Sequence, residues 1–235
     1  MDTSAYPVPR MLASLPLFHD LAPDELNRIA QGCQIREFGR SDMVFRVGQP
    51  CEEFHAVISG QVKLFAISPD GHEKVIELVS PGNCFAEAVM FLGRPYIVNA
   101  QALAATLLLT VGKRVMLAEI AREPRLALQM LAGISRRMHR LISDIESCSL
   151  QNGVQRVIGY LLREAPEAGN QGPLLVALQV SKATIASRLS MTPEYFSKVL
   201  HELAEAGLIE VDRRNIRIPD ADRLSKFGLQ QWQGR

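Results

Sequence analysis

The chain has 235 residues, with 26 Lys plus Arg against 25 Asp plus Glu, and this near-cancellation excludes a polycation that holds nucleic acid by bulk charge. Hydrophobic residues at 47% and charged residues at 22% exclude wholesale disorder, and the length suits one large domain or two small ones. The longest apolar run, Ala102 to Val111, is about half of the ~20 residues that a membrane helix needs, so no membrane partner is expected.

In chain order, Met1 to Arg10 has no basic segment followed by an apolar one, which predicts no secretion signal and a cytoplasmic protein. Pro23 to Gly32 reads as a short helix with Asp24 and Glu25 in its first turn and Gly at its end. Gly48, Gly60, Gly71 and Gly82 then recur at spacings of 12, 11 and 11, with β-rich runs between them, which predicts strands wound into a roll. In Gln61 to Ile67, Val62 and Leu64 should lie on one face and Lys63 and Phe65 on the other. Ser68-Pro69-Asp70-Gly71 is a turn, because Pro presets φ and Asp-Gly tolerates a positive φ, so an antiparallel hairpin should lead into Glu73 to Val79. A further pair of strands is expected at Tyr96 to Leu103 and Thr106 to Val111.

From Pro124 to Leu150 the texture becomes helical. Leu131, Ile134, Met138, Leu141, Ile145 and Cys148 recur at 3, 4, 3, 4, 3, a coiled-coil seam on a rod of about 40 Å. Such a rod can serve as dimer interface and as connector, predicting a homodimer. Val154 to Glu164 is a further helix, followed by a Pro/Gly-rich loop from Ala165 to Pro173. Ser181 to Leu189 and Thr192 to Ala206 form two helices about a Ser190-Met191 turn; Thr192 can cap the second, Pro193 begins it, and Gly207 can end it. Strand, polar turn and strand follow from Leu208 to Ile218, completing a winged helix-turn-helix. The expected class is α+β: a β-roll at 1–118, a dimerisation helix at 119–152 and the winged module at 153–235. The four cysteines lack short metal-binding spacings and are expected reduced and structural.

In a helix-turn-helix the second helix enters the major groove. Glu194, Ser197 and Lys198 share one face of it, and their chemistry suits base edges: Glu accepts from cytosine N4, Lys donates to guanine, Ser does either. Lys182, Arg188, Thr192, Arg213, Arg214 and Arg217 are candidates for DNA phosphate, within a 151–235 segment whose net charge is only +2 (11 Lys plus Arg, 9 Asp plus Glu). No metal triad, Gly-rich phosphate loop or nucleophile elbow is present, which argues against an enzyme.

The order of roll, long helix and winged module resembles the Crp/Fnr superfamily of bacterial transcription regulators over essentially the whole chain. The residues that carry it are Gly48, Ile58-Ser59-Gly60-Gln61-Val62-Lys63, Pro69-Asp70-Gly71, Phe85-Ala86-Glu87 and Thr192-Pro193-Glu194-Tyr195-Phe196-Ser197-Lys198. The resemblance implies a cyclic-nucleotide-binding-like roll, double-stranded DNA and RNA polymerase as partners, activation, and, from the Fnr branch, a palindrome of TTGAT-type half-sites. Lys198 stands where that branch has Arg, which loses the two-pronged geometry.

Glu87 matches the Glu of cyclic-nucleotide-binding members, but Arg94 to Asn99 holds no Arg-Ser pair for the phosphate, which argues against cyclic AMP. A cyclic-nucleotide-responsive regulator is the alternative reading. Met1 to Gly32 contains no cysteine, which argues against an Fnr-type iron–sulfur cluster. Phe85 to Ala88, Met90-Phe91 and Leu189 to Met191 resemble the DNR branch, linked to nitric oxide and denitrification, in which haem is a proposed cofactor. The resemblance thus implies control of anaerobic or nitrogen-oxide respiration, with an effector pocket around Phe85, Glu87, Met90 and Tyr96, between roll and seam helix. Leu15-Pro16 replaces that branch's His pair; His55 and His139 remain conceivable ligands, and no metal ligand is assigned.

Overall fold

The computed structural model describes residues 7–165 and 172–230, so most of the loop expected at 165–173 lies outside the described residues. The chain divides into two compact units at Arg140/Leu141, inside the long helix.

In the first unit, α1 (Val8–Ala13) and α2 (Pro23–Ala30) precede strands β1 (Cys33–Phe38), β2 (Met43–Phe45), β3 (Glu53–Ser59), β4 (Val62–Ile67), β5 (Glu73–Val79) and β6 (Cys84–Phe85). Helix α3 (Glu87–Leu92), strands β7 (Asn99–Ala102) and β8 (Thr106–Gly112), and α4 (Lys113–Arg122) lead into α5 (Arg125–Leu150). The strands form two antiparallel four-stranded sheets, β1-β8-β3-β6 and β2-β7-β4-β5, and their facing apolar side chains make the core. The β4–β5 hairpin forms as predicted, with the Gly71 N–H donating to Ser68 O at 2.9 Å. All four recurring glycines have positive φ; at Gly60 (φ +82°) a side chain would also strike the Ala105 carbonyl and Thr106.

One expectation needs correction. β7 and β8 do not pair: three residues carry the chain from one sheet to the other, so each finds its partners across the roll. In β4, Val62 and Leu64 join the hydrophobic core, and Lys63 and Phe65 are buried as well, so both faces of the strand are covered. Lys63 is tolerated because Nζ lies 2.6 Å from the Glu73 carboxylate and 4.4 Å above the Phe65 ring.

The second unit takes up α5 from Leu141 and continues with α6 (Gly153–Glu164), β9 (Leu174–Ala177), α7 (Lys182–Arg188), α8 (Pro193–Glu205), β10 (Glu210–Asp212), β11 (Asn215–Ile218) and α9 (Ala221–Gln230). Asn152 and Gln155 cap α6 reciprocally, each side chain accepting the other's backbone N–H at 2.9 Å. The wing is a three-stranded sheet, β10-β11-β9, whose first strand on the chain lies before the two helices. Among the described residues no helix is long and apolar enough to cross a membrane.

Candidate nucleic-acid interface

Helix α8 begins as its sequence dictates. Thr192 Oγ1 accepts the Tyr195 N–H at 3.2 Å, Pro193 fills the first turn, and Gly207 (φ +64°) follows the end. Phe196, Val199, Leu200 and Leu203 are buried, which fixes the rotation of the helix and turns Glu194, Ser197 and Lys198 outward together. Lys198 Nζ is 3.7 Å from Glu202, one turn on, and its side chain remains 70% exposed, so it can leave that contact for a stronger acceptor. The structure thus assembles all three base-reading candidates on one solvent-facing surface.

The phosphate candidates separate into two groups. Lys182, Thr192, Arg213 and Arg214 are exposed, the last two in the wing turn, where Arg213 adopts a left-handed φ of +53°. Arg217 and Arg188 are already engaged. Arg217 Nη1 donates to both oxygens of Glu210, its cross-strand partner, at 2.8 and 2.9 Å. Arg188 Nη2 lies 2.6 Å from Asp144 on α5, with both side chains about four-fifths covered. Sequence alone shows a cation near a DNA-facing helix; the carboxylate 44 residues away that holds it leaves no local signal.

Helix α5 also departs from expectation. Its exposed apolar stripe runs Leu128, Leu131, Met138, Ile142 and Ile145, with Ser135 completing the 3, 4, 3, 4, 3 spacing. Leu131, Met138 and Ile145 belong to the expected seam, but Ile134 faces the roll and Leu141 and Cys148 are half-buried. Both rows satisfy the heptad rhythm, and only the burial of Leu126 and Met130 against the roll decides which one faces water.

On its inner side the first part of α5 and the roll enclose a crevice of about 210 Å³, lined by Leu17, Asn83, Cys84, Glu87, Gln129, Met130, Ile134 and three arginines, Arg136, Arg137 and Arg140. Arg137 bridges two carboxylates, with Nε 2.7 Å from Glu77 and Nη1 3.4 Å from Glu87. Of the four expected pocket residues only Glu87 lines this crevice. Phe85, Met90 and Tyr96 are instead in the closed core, where Tyr96 stacks on Phe45 at 3.6 Å and Phe85 leans on His55 at 5.1 Å. His55 is buried with Nδ1 3.2 Å from Thr110 Oγ1 and Nε2 3.2 Å from Tyr96 Oη; burial, reinforced by Arg36, pushes its pKa down to about 3. Burial likewise raises the Cys84 thiol above its ordinary value. Among the described residues, no three or more His, Cys, Asp or Glu are grouped to hold a metal ion.

Residues 35–123 match the cyclic nucleotide-binding domain, and residues 155–227 match the Crp-like helix-turn-helix domain. The CRP-like cAMP-activated global transcriptional regulator of Mycobacterium tuberculosis is 26% identical over 92% of this chain and 97% of its own. DNR from Pseudomonas aeruginosa is 36% identical over 93% of this chain and 96% of that one, with a TM-score of 0.49. The chain belongs to the Crp/Fnr family. FixK2 from Bradyrhizobium japonicum, at 19% identity, has the same fold, with a TM-score of 0.74 over 83% of this chain and 96% of that one. Membership makes the protein a transcription regulator with a DNA-binding helix-turn-helix, not an enzyme.

Proposed function

We propose that this Crp/Fnr member acts in the cytoplasm as a homodimer that reads a palindrome of TTGAT-type half-sites and recruits RNA polymerase to genes of anaerobic or nitrogen-oxide respiration. The observation that carries the reading is the shared outward face of Glu194, Ser197 and Lys198 on a helix whose opposite face is anchored in the core. Two copies joined along the exposed stripe of α5 would present two such faces to half-sites about 34 Å apart, one duplex turn. Gel shift with a TTGAT palindrome tests it: Glu194→Ala should lose about 1 to 3 kcal/mol and relax the preference at one base pair. Unchanged preference would remove Glu194 from the reading face. Ile142→Glu should give a monomer by sedimentation, and a dimer in that variant would move the interface elsewhere.

The effector reading rests on the crevice between α5 and the roll. Its volume is below the about 300 to 1,000 Å³ typical of pockets for drug-sized ligands, and its arginines and Glu87 make it polar. Neither conceivable histidine offers haem a ligand among these residues: His55 has both ring nitrogens engaged, and His139 is exposed outside the crevice. A small polar effector that competes for Arg137 suits these residues better. Two relatives are described as cAMP-activated or as a cyclic AMP receptor, so cyclic AMP is the second reading. Against it, Arg94 is exposed beyond the end of α3, and Ile97 and Val98 follow the core residue Tyr96, leaving that stretch without a cation for the phosphate. Calorimetric titration with cyclic AMP should show no binding, and micromolar affinity would restore the alternative.

A further inference from the structure

Within the second unit, four contacts converge on the turn that joins α7 to α8. Arg188, the last residue of α7, is held by Asp144 at 2.6 Å. Two residues on, Ser190 carries a left-handed φ of +55°, and its Oγ lies 3.3 Å from Cys148 Sγ. Arg156 on α6 donates to the carbonyl of Gln151 at 2.9 Å, of Cys148 at 3.4 Å and of Ser190 at 3.5 Å, joining the end of α5 to the same turn. In the first turn of α8, the Tyr195 ring lies against Gly153 so closely that a methyl group there would overlap it.

We propose that Asp144 and Arg188 form a clamp that fixes the orientation of the recognition helix relative to the seam helix, so that Arg188 serves DNA binding as a positioning residue and not as a phosphate contact. The chemistry favours orientation over strength. The short charge-assisted contact from Arg188 Nη2 to Asp144 Oδ2 favours one placement of the end of α7 on α5, while the partial exposure of both groups limits what they add to folding stability. Asp144 lies between the exposed Ile142 and Ile145 on the part of α5 that belongs to this unit, so the pairing of that stretch with a second copy bears directly on Arg188, and with it on the start of α8.

The proposal rests on the dimeric, palindrome-reading function above. Its test uses the full chain and fluorescent duplexes carrying one half-site, or two half-sites at the optimal spacing and at one or two base pairs more or less. The wild type should prefer its optimal spacing over a one-base-pair change by about tenfold, the equivalent of ~1.4 kcal/mol. Asp144→Asn and Arg188→Gln should each bind the single half-site as the wild type does, but reduce the spacing preference to about twofold. Exchanging the charges, with Asp144→Arg and Arg188→Asp together, should restore it. Thermal midpoints and sedimentation of each variant check that fold and dimer are intact.

Asp144→Asn with a full spacing preference overturns the clamp, as does a charge exchange that restores nothing. Arg188→Gln that weakens half-site and palindrome alike, with a salt slope shallower by about one, makes Arg188 a phosphate contact and also overturns it. A wild type that sediments as a monomer overturns the clamp and the dimer reading together, whereas a dimer insensitive to Asp144→Asn overturns the clamp alone.

Discussion

The roll and the reading module treat their polar side chains in opposite ways. In the roll, His55, Lys63, Glu87 and Glu119 are buried and each is bound by a named partner, Glu119 receiving Arg28 Nε at 2.9 Å. In the reading module, the buried side of α8 is apolar and the polar residues of its first turns face water. Among the described residues there, Gln155 is the buried polar exception, and it caps α6 and donates to Gly228 O at 3.0 Å. The difference is that polar groups in the roll hold an internal arrangement, whereas those on α8 are left for an outside partner.

The largest test of that contrast is Phe85→Ala. Phe85 is fully buried beside Phe45 and His55, so truncation should cost about 3 to 5 kcal/mol in urea unfolding followed by near-ultraviolet dichroism. A loss below about 1 kcal/mol would mean that the aromatic cluster holds nothing in place. Next is Gly153→Ala, whose added methyl group overlaps the Tyr195 ring and should cost about 1 to 3 kcal/mol. Tyr195→Ala in the same chain should recover part of that loss; no recovery would place the strain elsewhere.

The pH response of His55 is smaller over one unit. Its pKa is near 6.5 when unfolded and about 3 when folded, so between these values the unfolded chain binds the additional proton. Stability from this group is therefore full above about pH 6.5 and falls as pH drops toward 3, by about 1.4 kcal/mol at pH 5.5. His55→Gln should flatten the acid limb of a stability–pH curve by that amount, and an unchanged limb would remove His55 from it. The smallest effect is expected for Lys198→Arg, which should sharpen discrimination at one guanine by less than about 1 kcal/mol in competition gel shifts. A loss of affinity would show that Arg does not fit at that position.

Legibility followed the range of each signal along the chain. The cap, first turn and end of α8 are set by Thr192, Pro193 and Gly207, all within or beside the helix, and the β4–β5 turn by four consecutive residues; both were readable. The assignment of β7 and β8 to different sheets was not, because nothing in Asn99 to Gly112 states which strand lies alongside. On α5 the 3, 4 spacing fits two rows that share Leu131, Met138 and Ile145. Ile134 and Ile142 fit the 3, 4 spacing equally well, and contact with the roll chooses between them. The pairs Arg137 with Glu77 and Arg188 with Asp144 span 60 and 44 residues, and they decide which cations remain available.

The exposed leucines, methionine and isoleucines of α5 have a consequence for dosage. If burying them is what joins two chains, the share of chains joined depends on abundance, and at low expression the amount of competent species rises with the square of the number of chains made. A modest change in synthesis would then be amplified at the promoter before any small molecule arrives.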